Sequence, residues 1–367
     1  IMEIQKFNRQ QLREFVSSDA YLALPDLPIS MHRALAQVEN PRVREEDVLL
    51  TIAWEQGELT GYLGLLPDTF FKEDGTIGHC AWLSCLWVHP DHRGKSLARK
   101  LINKAHELYD HRILLTEFAP ETKAIYDKLG YFVDLHTQTG LRVYYRFDLH
   151  NILPPKKKIF KRLQPVLNLF DFCANVLVDL ISNLTKTKNA LPEYEYYETI
   201  DTEIQVFLSG FQSKELFQRG KDDLNWIIKY PWVLAGKPDD MSRRYHFSSV
   251  DKSFDFISCK IYNTEHKLCA FLILSKRNRS LKIPCCYIKP GFEETTANVI
   301  DAHIQKWQIN TLSIFHPQLV QYYRKSGSFS LLKKDLNRIY ISSQTMANDL
   351  VQFNFQVQDG DGDSFFT

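Results

Sequence analysis

The chain has 367 residues, with 45 Lys and Arg against 44 Asp and Glu and a formal net charge of +1. That balance excludes a global pull on nucleic acid, and 44% hydrophobic with 24% charged residues excludes a disordered or fibrous chain. The length favours two domains. Seven cysteines, an odd number with no C-x-x-C pair, argue against a disulfide framework or a zinc site. They read as reduced core residues of a cytoplasmic protein. No signal peptide opens the sequence, and Ile1, ahead of Met2, carries no fold information.

Residues 2–45 read as a helix followed by an irregular connection at Pro25 and Pro28. Val48 to Trp54 and Leu59 to Pro67 read as strands around the turn Glu55-Gln56-Gly57-Glu58. Gly61 and Gly64 mark a bulge or a close backbone approach in the second of them. After a polar excursion, Trp82, Leu83, Leu86, Trp87 and Val88 form a buried strand that Pro90 stops, because proline cannot donate to a ladder. Leu97, Leu101, Ala105 and Leu108 then recur at helical spacing. Arg93 to Ser96 therefore sit where a helix begins, in front of unpaired N–H groups and the positive end of its dipole. That is an anion site, with Gly94 opening room and Arg93 and Lys95 adding charge. Arg112 to Phe118 reads as a further strand, Ala119 to Leu129 as a helix capped by Gly130, and Phe132 and Arg142 to Phe147 as closing strands.

From Leu149 to Tyr197 the character changes. The run Lys156-Lys157-Lys158-Ile159-Phe160-Lys161-Arg162 precedes apolar residues at helical spacing up to Leu184. The expected arrangement is an interdomain helix packing on a domain, and contact with an anionic membrane surface through 156–184 is the alternative. Asp171 and Asp179 argue against a transmembrane span.

The second half repeats the first. Phe118, Pro120, Tyr126, Lys128, Gly130 and Phe132 have identical counterparts at Phe315, Pro317, Tyr323, Lys325, Gly327 and Phe329, each displaced by 197 residues (315 against 118). Tyr287 to Pro290 parallels Trp87 to Pro90, and the predicted strands and helices follow in the same order, which signals a duplicated unit. The second helix start reads Gly291-Phe292-Glu293-Glu294-Thr295. Its carboxylates suit the helix dipole but repel phosphate. Tyr323 is thus expected to be a packed aromatic, and the aromatic stretch Leu224 to Trp232 to be core rather than a ligand platform. The tail Asp359-Gly360-Asp361-Gly362-Asp363 begins like a calcium loop without its later ligands and is expected to be a solvated turn.

Two of these segments carry a family resemblance. Arg93 to Ala98 resembles the pyrophosphate-binding pattern Arg/Gln-x-x-Gly-x-Gly/Ala of the GNAT N-acetyltransferases, with Ser96 in place of the middle glycine. Tyr126 to Tyr131 resembles that family's second signature, Tyr-x-x-x-Gly-Phe/Tyr. With the repeat, the whole chain is similar to tandem-GNAT proteins with a degenerate C-terminal copy. The resemblance implies an α+β fold of two units, each a mixed, mostly antiparallel sheet flanked by helices. The expected divisions are a GNAT domain at 2–148, a basic helical linker at 149–197, a degenerate copy at 198–345 and a tail at 346–367. It also implies acetyl-CoA as co-substrate, with no metal. Backbone groups around Leu86, Trp87 and Val88 would hold the pantetheine and polarise the carbonyl, and Arg93, Gly94, Lys95, Ser96, Leu97 and Ala98 would hold the pyrophosphate. Tyr126 would protonate the leaving thiolate, and Glu117 is the candidate base. The implied activity is transfer of acetyl to a primary amine of a small molecule or peptide. A non-catalytic acyl-CoA sensor or interaction module is the alternative.

Overall fold

A computed structural model describes residues 2–116, 118, 120–184, 191–327 and 329–366. Its main strands are β1 (Met2–Asn8), β2 (Val48–Glu55), β3 (Glu58–Phe71), β4 (Ile77–Val88), β5 (Ile113–Leu115), β6 (Phe132–Tyr144), β7 (Tyr194–Tyr197), β8 (Phe254–Tyr262), β9 (Leu268–Arg277), β10 (Ser280–Ile288), β11 (Thr311–Ile314) and β12 (Leu332–Ser343). The helices that matter here are α1 (Arg9–Val16), α2 (Met31–Val38), α3 (Leu97–Leu108), α4 (Pro120–Leu129), α5 (Gln164–Leu184), α6 (Lys221–Lys229), α7 (Glu293–Lys306) and α8 (Pro317–Lys325).

These elements form two compact units: Ile1–Gln138 with Glu198–Phe256 and Asn337–Thr367, and Thr139–Tyr197 with Ile257–Leu336. In the first, the strand order is β1-β2-β3-β4-β5-β12. Neighbours from β1 to β4 run antiparallel, β4 and β5 are parallel, and β5 pairs antiparallel with β12 through Leu115 and Ile341. In the second, the order β7-β8-β9-β10-β11-β6 has the same plan, with β10 and β11 parallel and β6 antiparallel to β11. Each sheet is therefore closed by a strand that the sequence repeat assigns to the other copy.

The expected boundaries at 2–148 and 198–345 follow the repeat, and the compact units do not. The strand exchange is one reason. The others are residues 198–256, which pack on the first unit, and the tail, which returns to it. The N-terminal segment also contains a strand, β1, that its weak apolar pattern does not announce; it is an edge strand with only Phe7 buried.

Helix α5 departs from expectation more sharply. It packs on its unit with its polar side. Asp171, Asn175 and Val178 are buried, whereas Leu169, Phe172 and Leu177 on the rest of the surface are exposed. Asn175 brackets the backbone of Phe147, donating to its O at 2.9 Å and accepting from its N at 2.8 Å, and Asp171 accepts from His150. The apolar face therefore does not supply the packing on a domain that its periodicity suggests.

The tail is not a solvated turn. Asp359, Asp361, Phe365 and Phe366 are buried in the first unit. Phe366 stacks on Trp232 at 4.4 Å and meets Trp226 edge-on at 5.0 Å, so the 224–232 stretch is core. Gly362 has φ of 85°, and a Cβ there would come within 2.7 Å of the Trp82 ring, so only glycine lets the tail lie on β4.

Under the tail lies a buried charge network. Asp68 accepts from Arg219 at 2.6 and 3.0 Å, from Arg42 at 2.7 Å and from the Trp82 indole at 2.9 Å. Arg42 also clasps Asp223 through two bonds of 2.7 Å, and Arg219 reaches Asp361 of the tail at 3.2 Å. Burial works against the Asp68 charge, but the guanidiniums of Arg219 and Arg42 outweigh it and hold the carboxyl below its ordinary range. Asp361 has less compensation, and burial pushes it up to about 6. Because Asp68→Asn would strand two buried guanidiniums without losing volume, it should cost about 3–5 kcal/mol in urea unfolding at neutral pH. An unchanged midpoint would show that the network adds nothing to stability.

Candidate functional site

The site begins where β4 leaves its neighbour. Only Ala81 and Trp82 pair with β5, so among the described residues the strand from Leu83 to Val88 continues without a parallel partner. On its other edge the register against β3 slips between Tyr62 and Gly64, and Cys85 has a φ of 56°. This is a β-bulge, which re-aims the strand. Gly64 permits it, since a Cβ there would lie 2.9 Å from both the Ser84 carbonyl and the Arg33 guanidinium.

Beyond the bulge, side chains divide between the two faces. Leu86 and Val88 pack with Leu97 and Tyr126 in one cluster. Trp87 turns the other way, stacking on Tyr62 at 5.3 Å and on His246 at 4.5 Å. Of the strand residues expected to line the cofactor, Leu86 and Val88 thus share a face with Tyr126, and the Trp87 ring does not.

The loop follows. Pro90–His92 forms one 3-10 turn, Gly94 has a φ of 79° with its missing Cβ facing open space, and Ser96 has φ 60° and ψ 17°. Ser96 is the N-cap of α3, yet its side chain makes no cap hydrogen bond. The first N–H groups of α3 are therefore left without that acceptor, and the dipole behind them favours an anion. Gly94, Lys95 and Ser96 are exposed, whereas the Leu97 side chain is buried and only its backbone faces the loop. Arg93 donates through Nε to the Val88 carbonyl at 3.3 Å, which ties the loop to the end of β4.

Tyr126, on α4, is buried, and its phenol is pushed up chiefly by burial and next by the charge of Asp363. Glu117 lies outside the described residues. A different carboxylate is present at the bulge: Asp363 accepts from the Ser84 hydroxyl at 2.6 Å. Arg33 completes the group. It is buried, lies with its guanidinium carbon 4.0 Å over the Trp232 ring, and donates to the Tyr245 hydroxyl at 2.7 Å and to Cys85 Sγ. Sequence reasoning misses both residues. Asp363 sits in a polar tail whose only hint of burial is the pair Phe365-Phe366, and Arg33 is a single arginine in a helix.

The second unit shows the same bones without the loop chemistry. Gly291 again has positive φ, at 90°, but Glu293 and Glu294 occupy the first turn of α7. Tyr323, the counterpart of Tyr126, is fully buried and donates to Asp301 at 2.9 Å, as a packed aromatic should.

The left-handed conformation at Ser96 costs a residue with a Cβ roughly 1–2 kcal/mol, and glycine gives back part of that gain through unfolded-chain entropy. Ser96→Gly should therefore stabilise the protein by about 0.5–1 kcal/mol in urea unfolding; a loss of stability would mean the serine side chain is supporting the turn.

The GNAT acetyltransferase family model matches residues 10–131. No curated protein matches the chain by sequence. Among solved structures, a protein of Enterococcus faecalis V583 described as a probable N-acyltransferase aligns over 94% of this chain and 73% of its own at 8% identity, with a TM-score of 0.55. A tandem GNAT protein from the clavulanic acid biosynthesis pathway aligns over 94% and 99% at 11% identity and a TM-score of 0.48. Saccharomyces cerevisiae N-myristoyltransferase aligns over 93% and 82% at 12% identity and a TM-score of 0.47. At 8% identity the likeness to the first of these is one of fold. The family match makes residues 10–131 a GNAT acetyltransferase domain, on the unit that carries the splayed strand, the basic loop and Tyr126, and the second unit repeats that unit's strand order.

Proposed function

We propose that the first unit transfers an acetyl group from acetyl-CoA directly to a primary amine. The observation that carries this reading is the convergence of the stretch of β4 beyond its pairing with β5, the left-handed loop at the start of α3, and Tyr126 on one side of one sheet. The pyrophosphate would lie on the amides from Gly94 to Ala98, with Arg93 and Lys95 balancing its charge. The backbone N–H groups of the bulge would polarise the thioester carbonyl, aimed where negative charge develops. Attack by a neutral amine forms the C–N bond and breaks the C–S bond. The nitrogen must lose a proton, and the sulfur must gain one.

For the base we assign Asp363, which Ser84 holds at the bulge. Its charge also reaches Tyr126 and Arg33. Tyr126, kept protonated by burial and by that charge, is the donor to the departing thiolate. The proton taken up by Asp363 then restores the phenol, leaving amide and free CoA. The acceptor is a small-molecule or peptide amine. In the second unit, Glu293 and Glu294 stand where a pyrophosphate would lie, so the first loop is the one assigned to the cofactor.

The test pairs binding with turnover. Titration calorimetry with acetyl-CoA should give binding that Arg93→Glu weakens at least about tenfold, since the variant reverses a charge that faces phosphate. A CoA-release assay over an amine panel should then show Asp363→Asn and Tyr126→Phe lowering kcat by roughly 10²–10⁴ while acetyl-CoA affinity is kept. Full turnover by Asp363→Asn would remove that residue from the mechanism. Binding without CoA release on any amine would favour a sensor.

A further inference from the structure

Helix α5 turns Asp171, Asn175 and Asp179 toward its unit and most of its apolar residues outward. Asp171, Asn175 and Asp179 recur at four-residue spacing and so form one stripe. Each is engaged by the unit it lies on: Asp171 by His150 at 2.7 Å, Asn175 by the Phe147 backbone, and Asp179 by Arg146. These anchors span two successive turns. They hold the helix lengthwise along its own unit, so it cannot depart alone to cross a bilayer, although Gln164–Ile181 is apolar enough by composition.

The outer surface is different. Leu169, Phe170, Phe172, Val176, Leu177 and Leu180 are exposed, Phe172 by 69%. A continuous apolar face of this kind on a protein surface marks a contact with something apolar. At its N-terminal end, Lys156, Lys157, Lys158, Lys161 and Arg162 are all exposed, and none of them forms an ion pair among the described residues. The two aspartates of α5 are turned to Arg146 and His150 and do not offset that charge. A second copy of the chain laid on this face would bring its own basic run and no counter-charge. A surface that is apolar inside and negative at its boundary answers both features.

We propose that α5 lies in the plane of an anionic lipid membrane. Its outer face is buried among the acyl chains, and the basic run from Lys156 to Arg162 sits at the level of the phosphates. The unit below the helix remains in water, held by the polar stripe. This contact is independent of the acyl-transfer reading.

The experiment is co-sedimentation of the full chain with phosphatidylcholine vesicles, with and without about one-third phosphatidylglycerol. The protein should pellet with the anionic vesicles and bind neutral ones about tenfold more weakly. The triple variant Leu169→Glu, Phe172→Glu and Leu177→Glu changes only exposed positions. It should lose binding at least about tenfold while keeping the wild-type melting temperature. Lys157→Glu with Lys158→Glu and Lys161→Glu should abolish the preference for anionic lipid. Wild-type protein left in the supernatant with both vesicle types overturns the proposal, as does equal pelleting of the apolar triple variant. A wild-type dimer by light scattering that the triple variant dissolves, without vesicle binding, overturns it in favour of a second copy.

Discussion

The carboxylate of Asp68 is the charge on which the first unit depends. It lies on β3, next to the strand that carries the bulge, and two guanidiniums, Arg42 and Arg219, are neutralised through it. Taking such charges out of water is costly, and the mutual attraction balances that cost only when every donor and acceptor is used. Here the spare valences reach outward: Arg42 to Asp223 on α6, and Arg219 to Asp361 of the tail. One interior ion thereby fixes three segments far apart in sequence. The tail it fixes is the one that delivers Asp363 to Ser84, so the geometry at the bulge of β4 is set from beneath by residues that do not line it.

Much of the fold is legible in the sequence because the elements that matter are strongly patterned. The strand ending at Val88, the helix from Leu97 and the helix ending before Gly130 are each announced by periodicity and a stop signal, and each appears where expected. The repeat is legible for the same reason, since a duplicated unit keeps its turn residues and core spacing. Strand exchange is not. Local pattern fixes that β6 and β12 are strands, but which sheet each one joins depends on pairing energies over long sequence separations, which leave no trace in period or composition.

The site divides along a similar line. A basic loop before a helix is a local motif, and Arg93, Gly94 and Ser96 can be named from it. The positive φ of Ser96 gives a physical reason for the glycine that the family pattern places there. Asp363 and Arg33 enter the site only through tertiary packing, and an aspartate among glycines looks like solvent-facing turn until Phe366 is seen to pack on both Trp226 and Trp232. Helix α5 misleads in the opposite sense. Its periodicity is real, but periodicity states that a helix has an apolar side and not which way that side faces.

The strand exchange has a consequence for the order in which the molecule can be built. The first unit has all of β1 to β5 in place once about a third of the sequence exists, yet its sheet is closed by β12 and its bulge is backed by the tail beyond residue 337. A nascent chain emerging from the ribosome therefore holds the open edge of β5 unpaired while more than two hundred further residues are made, an interval in which an exposed edge invites wrong partners. The second unit receives β6 from the part already synthesised and is the first to have every strand available. Completion of the first unit is thus postponed until β12 and the segment around Asp363 exist, after the second unit has every strand available.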